Sequence, residues 1–145
     1  MRKHLKAVLL ALGAFALSCS SYFIAGYDEV IDGGAVALQQ KVHAFLIELQ
    51  TTAGTGAGAY EQHADFYEDV RGDLDVLRNA ASLQRGNELT IESLRLIEDN
   101  VGRLEGMHAA GISRQEIDVV RTLFDTQFRM LVQLENAKKR KESAP

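Results

Sequence analysis

The chain has 145 residues, with 16 Lys and Arg against 20 Asp and Glu for a formal net charge of −4; 46% is hydrophobic, with one Cys, one Pro and no Trp. Such a length holds one core, and the composition is too apolar for a disordered chain. A single cysteine excludes an intrachain disulfide, a multi-cysteine zinc or iron–sulfur site and haem attachment through Cys-x-x-Cys-His, while the acidic balance argues against nucleic acid as a partner.

Arg2, Lys3 and Lys6 form a positive head, and Ala7 to Leu17 is an uncharged apolar run that ends at Ser18 and Cys19. This is the tripartite pattern of an export signal. As a helix the run reaches about 17 Å, short of the ~30 Å hydrocarbon core, so a permanent membrane span is not expected. Ala16-Leu17-Ser18-Cys19 resembles the lipobox of bacterial lipoprotein precursors. The resemblance covers residues 1–19 alone. It implies a lipid on the Cys19 thiol, cleavage just before it, and a chain held in the cell envelope. Ser20 is similar to the residue found in lipoproteins sorted to the outer membrane, facing the periplasm. Cysteine usage agrees, because a lone thiol in an exported protein is open to oxidation and acylation removes it. Losing residues 1–18 also leaves the remainder more acidic, since three cations go with them.

Residues 19–27 read as a membrane-proximal tether, with Tyr22, Phe23 and Tyr27 suited to a headgroup layer. From residue 28 to 53 the apolar positions Ile31, Ala35, Leu38, Val42, Phe45 and Leu49 recur at helical spacing. Gly33 and Gly34 weaken the first turns, so the stable helix is expected from near Ala35. Gly54-Thr55-Gly56-Ala57-Gly58 reads as a connector. A second helix over 60–83 carries His63, Phe66, Val70, Leu74, Leu77 and Ala81 on its inner face. Thr90 is the expected N-cap of a third helix, faced by Leu94, Ile97, Val101, Leu104 and His108 and ended by Gly111. Ser113-Arg114-Gln115-Glu116 spells a capping box before a fourth, with Ile117, Val120, Phe124, Leu131 and Leu134 inward and Leu123 and Phe128 widening the face.

Four such stretches with short breaks predict an all-α fold, an antiparallel four-helix bundle over 28–141 with a disordered tail at 142–145. An up-down-up-down order returns the C-terminus to the end where the chain enters. The basic run Lys138, Lys139, Arg140 and Lys141 would then face the membrane beside the lipid. A solvated last helical turn explains the same run without a membrane.

The chemistry-bearing motifs are incomplete. Glu105-x-x-His108 has the spacing used in ferritin-like di-iron bundles, but the matching second motif is absent around His43 and His63. There is no Gly-x-Ser-x-Gly elbow, and the glycine-rich break lacks the Lys and Ser/Thr of a phosphate loop. No cofactor, metal site or catalytic set is therefore expected, and the chain reads as a non-enzyme. Two surfaces stand out instead. Glu61, Asp65, Glu68, Asp69 and Asp73 form an acidic row suited to a basic partner or to plain solvation. Gly102, Gly106 and Ala109 form a small-residue strip suited to close helix contact, either with a partner or within the bundle.

These features predict a lipid-anchored envelope protein acting through contacts with another envelope protein or itself, as adaptor, assembly factor or modulator. An inhibitor or immunity-type lipoprotein, and a bundle holding a small apolar ligand or metal, are the alternatives.

Overall fold

The computed structural model describes residues 25–143; the signal segment, Cys19 and the tether rings Tyr22 and Phe23 lie outside the described residues. Four helices carry the fold: α1 (Glu29–Thr52), α2 (Ala64–Ser82), α3 (Glu88–Ala109) and α4 (Arg114–Glu142). Two 3₁₀ turns, Gly56–Gly58 and Tyr60–Gln62, fill the connection between α1 and α2. No strand occurs among the described residues, and no helix there is long and apolar enough to cross a membrane.

The helices form an antiparallel bundle closed into a ring, with α1 against α2 and α4, and α3 against the same two. Direction is fixed by the cross-pairs: Arg71 meets Glu105 and Arg78 meets Glu98 between α2 and α3, while His43 faces Asp125 and Gln50 reaches Asp118 between α1 and α4. The core runs down the axis through Leu38, Phe45, Leu49, Tyr67, Leu74, Ile97, Leu104, Phe124 and Phe128, all buried.

Each helix starts for a local reason. The Asp28 carboxylate accepts from the Val30 and Ile31 amides at 2.9 and 3.3 Å, so α1 begins at Glu29 and runs through the glycine pair rather than from Ala35. Ile31, fully buried, anchors that first turn. Gly34 has a use there, since a Cβ on it would overlap the tip of Leu77 on α2. The Ser113 capping box forms as predicted, with Glu116 returning a bond to the Ser113 amide at 2.8 Å, and Gly111, at φ +92°, supplies the left-handed turn that ends the preceding helix.

Four inner-face assignments and one cap shift. The 3₁₀ turns use up residues 56–62, so α2 begins at Ala64 and its deepest aromatic is Tyr67; His63 and Phe66 are only half-buried. Thr90 does not cap α3. Asn87 stands at the cap position without a side-chain capping bond, and Thr90 is buried one turn inside. On α4 the inward register continues from Phe124, Phe128 and Leu131 to Glu135 and Lys138, while Leu134 is half-buried and Leu123 exposed.

Candidate functional site

The two ends of the bundle differ in chemistry. At the end where the chain enters, an extended piece over residues 25–28 packs onto the bundle instead of hanging free as a tether. Ala25 is buried and its amide donates to the Gly86 carbonyl at 3.1 Å; Gln84 donates to Asp28 at 2.9 Å. The Tyr27 phenol donates to Asp32 at 2.9 Å, and that bond raises its pKa above the ordinary tyrosine value. Its ring lies under the Lys139 ammonium, 4.7 Å from the centroid, in a cation–π contact.

Behind this piece sits a buried polar quartet. Lys138 is 2% exposed, and its ammonium donates to Asn87 Oδ1 at 2.6 Å, Thr90 Oγ1 at 2.7 Å and Glu135 Oε1 at 2.7 Å, which uses all three of its protons. Thr90 in turn donates to Glu135 Oε1 at 2.8 Å, and the Asn87 amide donates to the Ala81 carbonyl at 3.0 Å. Glu135 is fully buried, and its Oε2 has no partner among the described residues. The quartet fastens the last turns of α4 to the loop between α2 and α3 and to the start of α3.

The expected basic patch is corrected by this arrangement. Lys138 belongs to the interior, because its position continues the inward spacing of α4; Lys139 is engaged with Tyr27, and Arg140 and Lys141 are exposed. The helix itself extends through Glu142 into the stretch expected as tail. Spacing along α4 contained the signal for the quartet, but the Lys-Lys-Arg-Lys run masks it as one surface feature.

The far end is aromatic. Phe45 stacks on Phe66 with ring centres 3.8 Å apart, and Tyr60, His63, Tyr67 and His108 gather around them. His63 and His108 donate from Nε2 to the Ala57 and Gly58 carbonyls at 2.8 and 3.0 Å, since a carbonyl can only accept. Nδ1 of His108 is hydrogen-bonded to the buried Tyr67 phenol at 2.8 Å, and burial pushes that phenol's pKa up. Glu105 takes Arg71 at 2.7 and 3.3 Å and the Tyr60 phenol at 3.0 Å; the guanidinium holds its carboxyl below the usual carboxylate range. The Glu105-x-x-His108 pair is thus divided between two separate bonding sets, and His43 stands apart beside Asp125. No group of three or more His, Cys, Asp or Glu side chains able to hold a metal occurs among the described residues.

The sides of the bundle carry the remaining features. Gly102, Gly106 and Ala109 are exposed, and a Cβ at either glycine would meet nothing within 4 Å, which removes tight packing inside the bundle as their explanation. In the acidic row, Asp73 pairs with Lys41, whereas Glu61, Asp65, Glu68 and Asp69 are exposed and hold no ion pair among the described residues. An open groove of about 380 Å³ between α1 and α2 is lined by Val30, Gly34, Ala37, Val76 and Leu77 beside the Lys41–Asp73 pair. Compared with known proteins, the chain matches no family model, no curated protein and no solved structure.

Proposed function

We propose that this chain is a membrane-anchored envelope lipoprotein that acts through protein contacts as an adaptor, assembly factor or modulator. The observation that carries the reading is the common end: the chain joins the bundle at Ala25, six residues after Cys19, alongside the α2–α3 loop and the last turn of α4. Six residues extend to about 20 Å at most, so a lipid on Cys19 holds that end close to the bilayer. The 24 residues of α1 rise about 36 Å at ~1.5 Å each, which sets the reach of the body from that end. Confinement to one surface raises the effective concentration of a partner on the same membrane. The residues with chemical potential support a non-catalytic role, because Glu105, Arg71, His108 and Tyr67 are spent on one another and on the backbone.

The test is native mass spectrometry of the full-length protein expressed in a bacterial host and extracted in mild detergent. A chain beginning at Cys19 with added acyl mass and a retained protein subunit is the expected result. A soluble, unacylated chain overturns the anchoring, and a retained small molecule in place of a subunit turns the reading toward the ligand-binding alternative.

The unpaired carboxylates of Glu61, Asp65, Glu68 and Asp69 favour one narrower version, an inhibitor-type lipoprotein that covers a basic surface on its target. Reversing these four charges should then abolish target capture; unchanged capture removes that face.

A further inference from the structure

We propose that the entry end of the bundle is itself a lipid-binding surface, in which Leu83 and Leu89 enter the headgroup layer of an anionic membrane and Arg85, Arg140 and Lys141 contact its phosphates. The inference rests on the anchored reading above and adds to it a defined orientation of the body.

The apolar part of the surface is unusual for a water-facing loop. Leu83 is 87% exposed, the highest value among the large apolar side chains described, and Leu89 is 64% exposed. Isolated exposed leucines need no explanation on a helix side. These two flank one short loop at the extremity of the bundle, and the loop is pinned from several directions. Gly86 takes the Ala25 amide, Gln84 holds Asp28, and Asn87 bonds both the Ala81 carbonyl and the Lys138 ammonium. The leucines are therefore presented on a rigid tip, which loses little conformational freedom when it enters another phase.

The charged part follows from the length of α4. Lys138 is level with Asn87, so the residues after it stand about one turn beyond the start of α3. Arg140 and Lys141 occupy that projecting turn, and Arg85 lies in the adjoining loop; all three are exposed and none forms an ion pair among the described residues. Of the carboxylates at this end, Asp28 is taken by Gln84 and the first α1 amides, and Asp32 by Tyr27. Glu29 and Glu88, both exposed, begin α1 and α3, where the positive ends of those helices offset part of their charge. An apolar tip beside free guanidinium and ammonium groups is the combination that inserts shallowly and reads anionic headgroups. The position of Ala25 selects lipid as the occupant, since its amide is bonded to Gly86 of this loop and Cys19 is only six residues away, so that a lipid there stays within about 20 Å of the tip.

The experiment is hydrogen exchange, followed by mass spectrometry, on the full-length protein reconstituted into phosphatidylglycerol-containing vesicles and into neutral phosphatidylcholine vesicles. Amides 85–89 should exchange several-fold more slowly on the anionic vesicles, while amides 54–59 at the far end stay unchanged. The triple variant Arg85→Glu, Arg140→Glu, Lys141→Glu should lose the protection, and so should Leu83→Ser with Leu89→Ser, all at exposed positions that the fold does not use. Equal exchange at 85–89 on both vesicle types overturns the proposal. The acyl mass is read on the same sample: acylation without protection defeats this surface alone, and protection without acylation defeats the lipid anchor alone.

Discussion

Replacing Lys138 with Met tests the buried quartet most directly. The substitution keeps the length and apolar stem of the side chain and removes only the ammonium. Glu135 would then be a fully buried carboxylate with one oxygen already unpartnered and only the Thr90 hydroxyl left on the other. Stripping one partner from a buried ion pair costs about 3–5 kcal/mol, a large share of the ~5–15 kcal/mol that holds a domain folded. At roughly 4 °C per kcal/mol for a domain of this size, the melting temperature should fall by about 12–20 °C. The double variant Glu135→Leu with Lys138→Met should recover about 1–3 kcal/mol of that loss. An apolar pair of similar volume is near neutral in place of a buried ion pair, and what remains is about 1 kcal/mol each for the bonds lost by Thr90 and Asn87. Urea unfolding followed by circular dichroism gives all the stabilities, provided the slope against denaturant is unchanged. A single variant that loses less than about 1 kcal/mol, or a double that loses the sum of both singles, would refute the account of a coupled buried pair.

Other expectations are simpler. Tyr67→Phe leaves His108 Nδ1 buried without its partner and should lower stability by about 1–3 kcal/mol in the same unfolding assay. Glu105→Gln should cost about 1 kcal/mol at neutral pH, discounted for partial exposure of its pair with Arg71. Its carboxyl pKa is depressed in the folded state by Arg71, so the contribution is present above the ordinary glutamate pKa and fades as pH falls through the folded value. Melting curves of wild type and variant should therefore converge on acidification. Gly102→Ala with Gly106→Ala should raise stability by about 0.5–1 kcal/mol per site, because the added methyls meet nothing and alanine favours the helix. If the pair of substitutions stabilises the protein yet abolishes crosslinking to its partner in the membrane, the strip is a contact face; unchanged crosslinking removes it.

How far the sequence could be read depended on whether a position obeyed a period. Leu94, Ile97, Val101, Leu104 and His108 follow one helical stripe, and all five are buried as that spacing requires. The capping box at Ser113 is equally local and equally legible. Residues 56–63 were not, because two 3₁₀ turns change the number of residues per turn and move the inward aromatic from Phe66 to Tyr67. Gly33 and Gly34 misled in another way. Their intrinsic cost argues for a late helix start, but the local cap at Asp28 and the tertiary approach of Gly34 to Leu77 outweigh it. Lys138 and Glu135 were hidden by residue type. A charged side chain reads as surface until its partners are known, and those partners lie about fifty residues away, in Asn87 and Thr90.

The quartet also bears on how a tethered body could act. Apolar helix packing is non-directional and tolerates small slips, whereas a network in which every lysine proton has a named acceptor permits one register between α3 and α4. It is placed where the chain enters, where it bonds the last turns of α4 to the loop after Leu83, and the bonds of Ala25 to Gly86 and of Gln84 to Asp28 add the piece over residues 25–28. On the proposed reading that bonding converts an anchor into an orientation: a lipid on Cys19 alone would leave the acidic face of α2 and the glycine strip of α3 sampling every direction. Two points of attachment on a stiff end would hold those faces parallel to the membrane normal. The effective concentration that tethering supplies would then apply to one face of the bundle, which is what a contact with a neighbouring envelope protein requires.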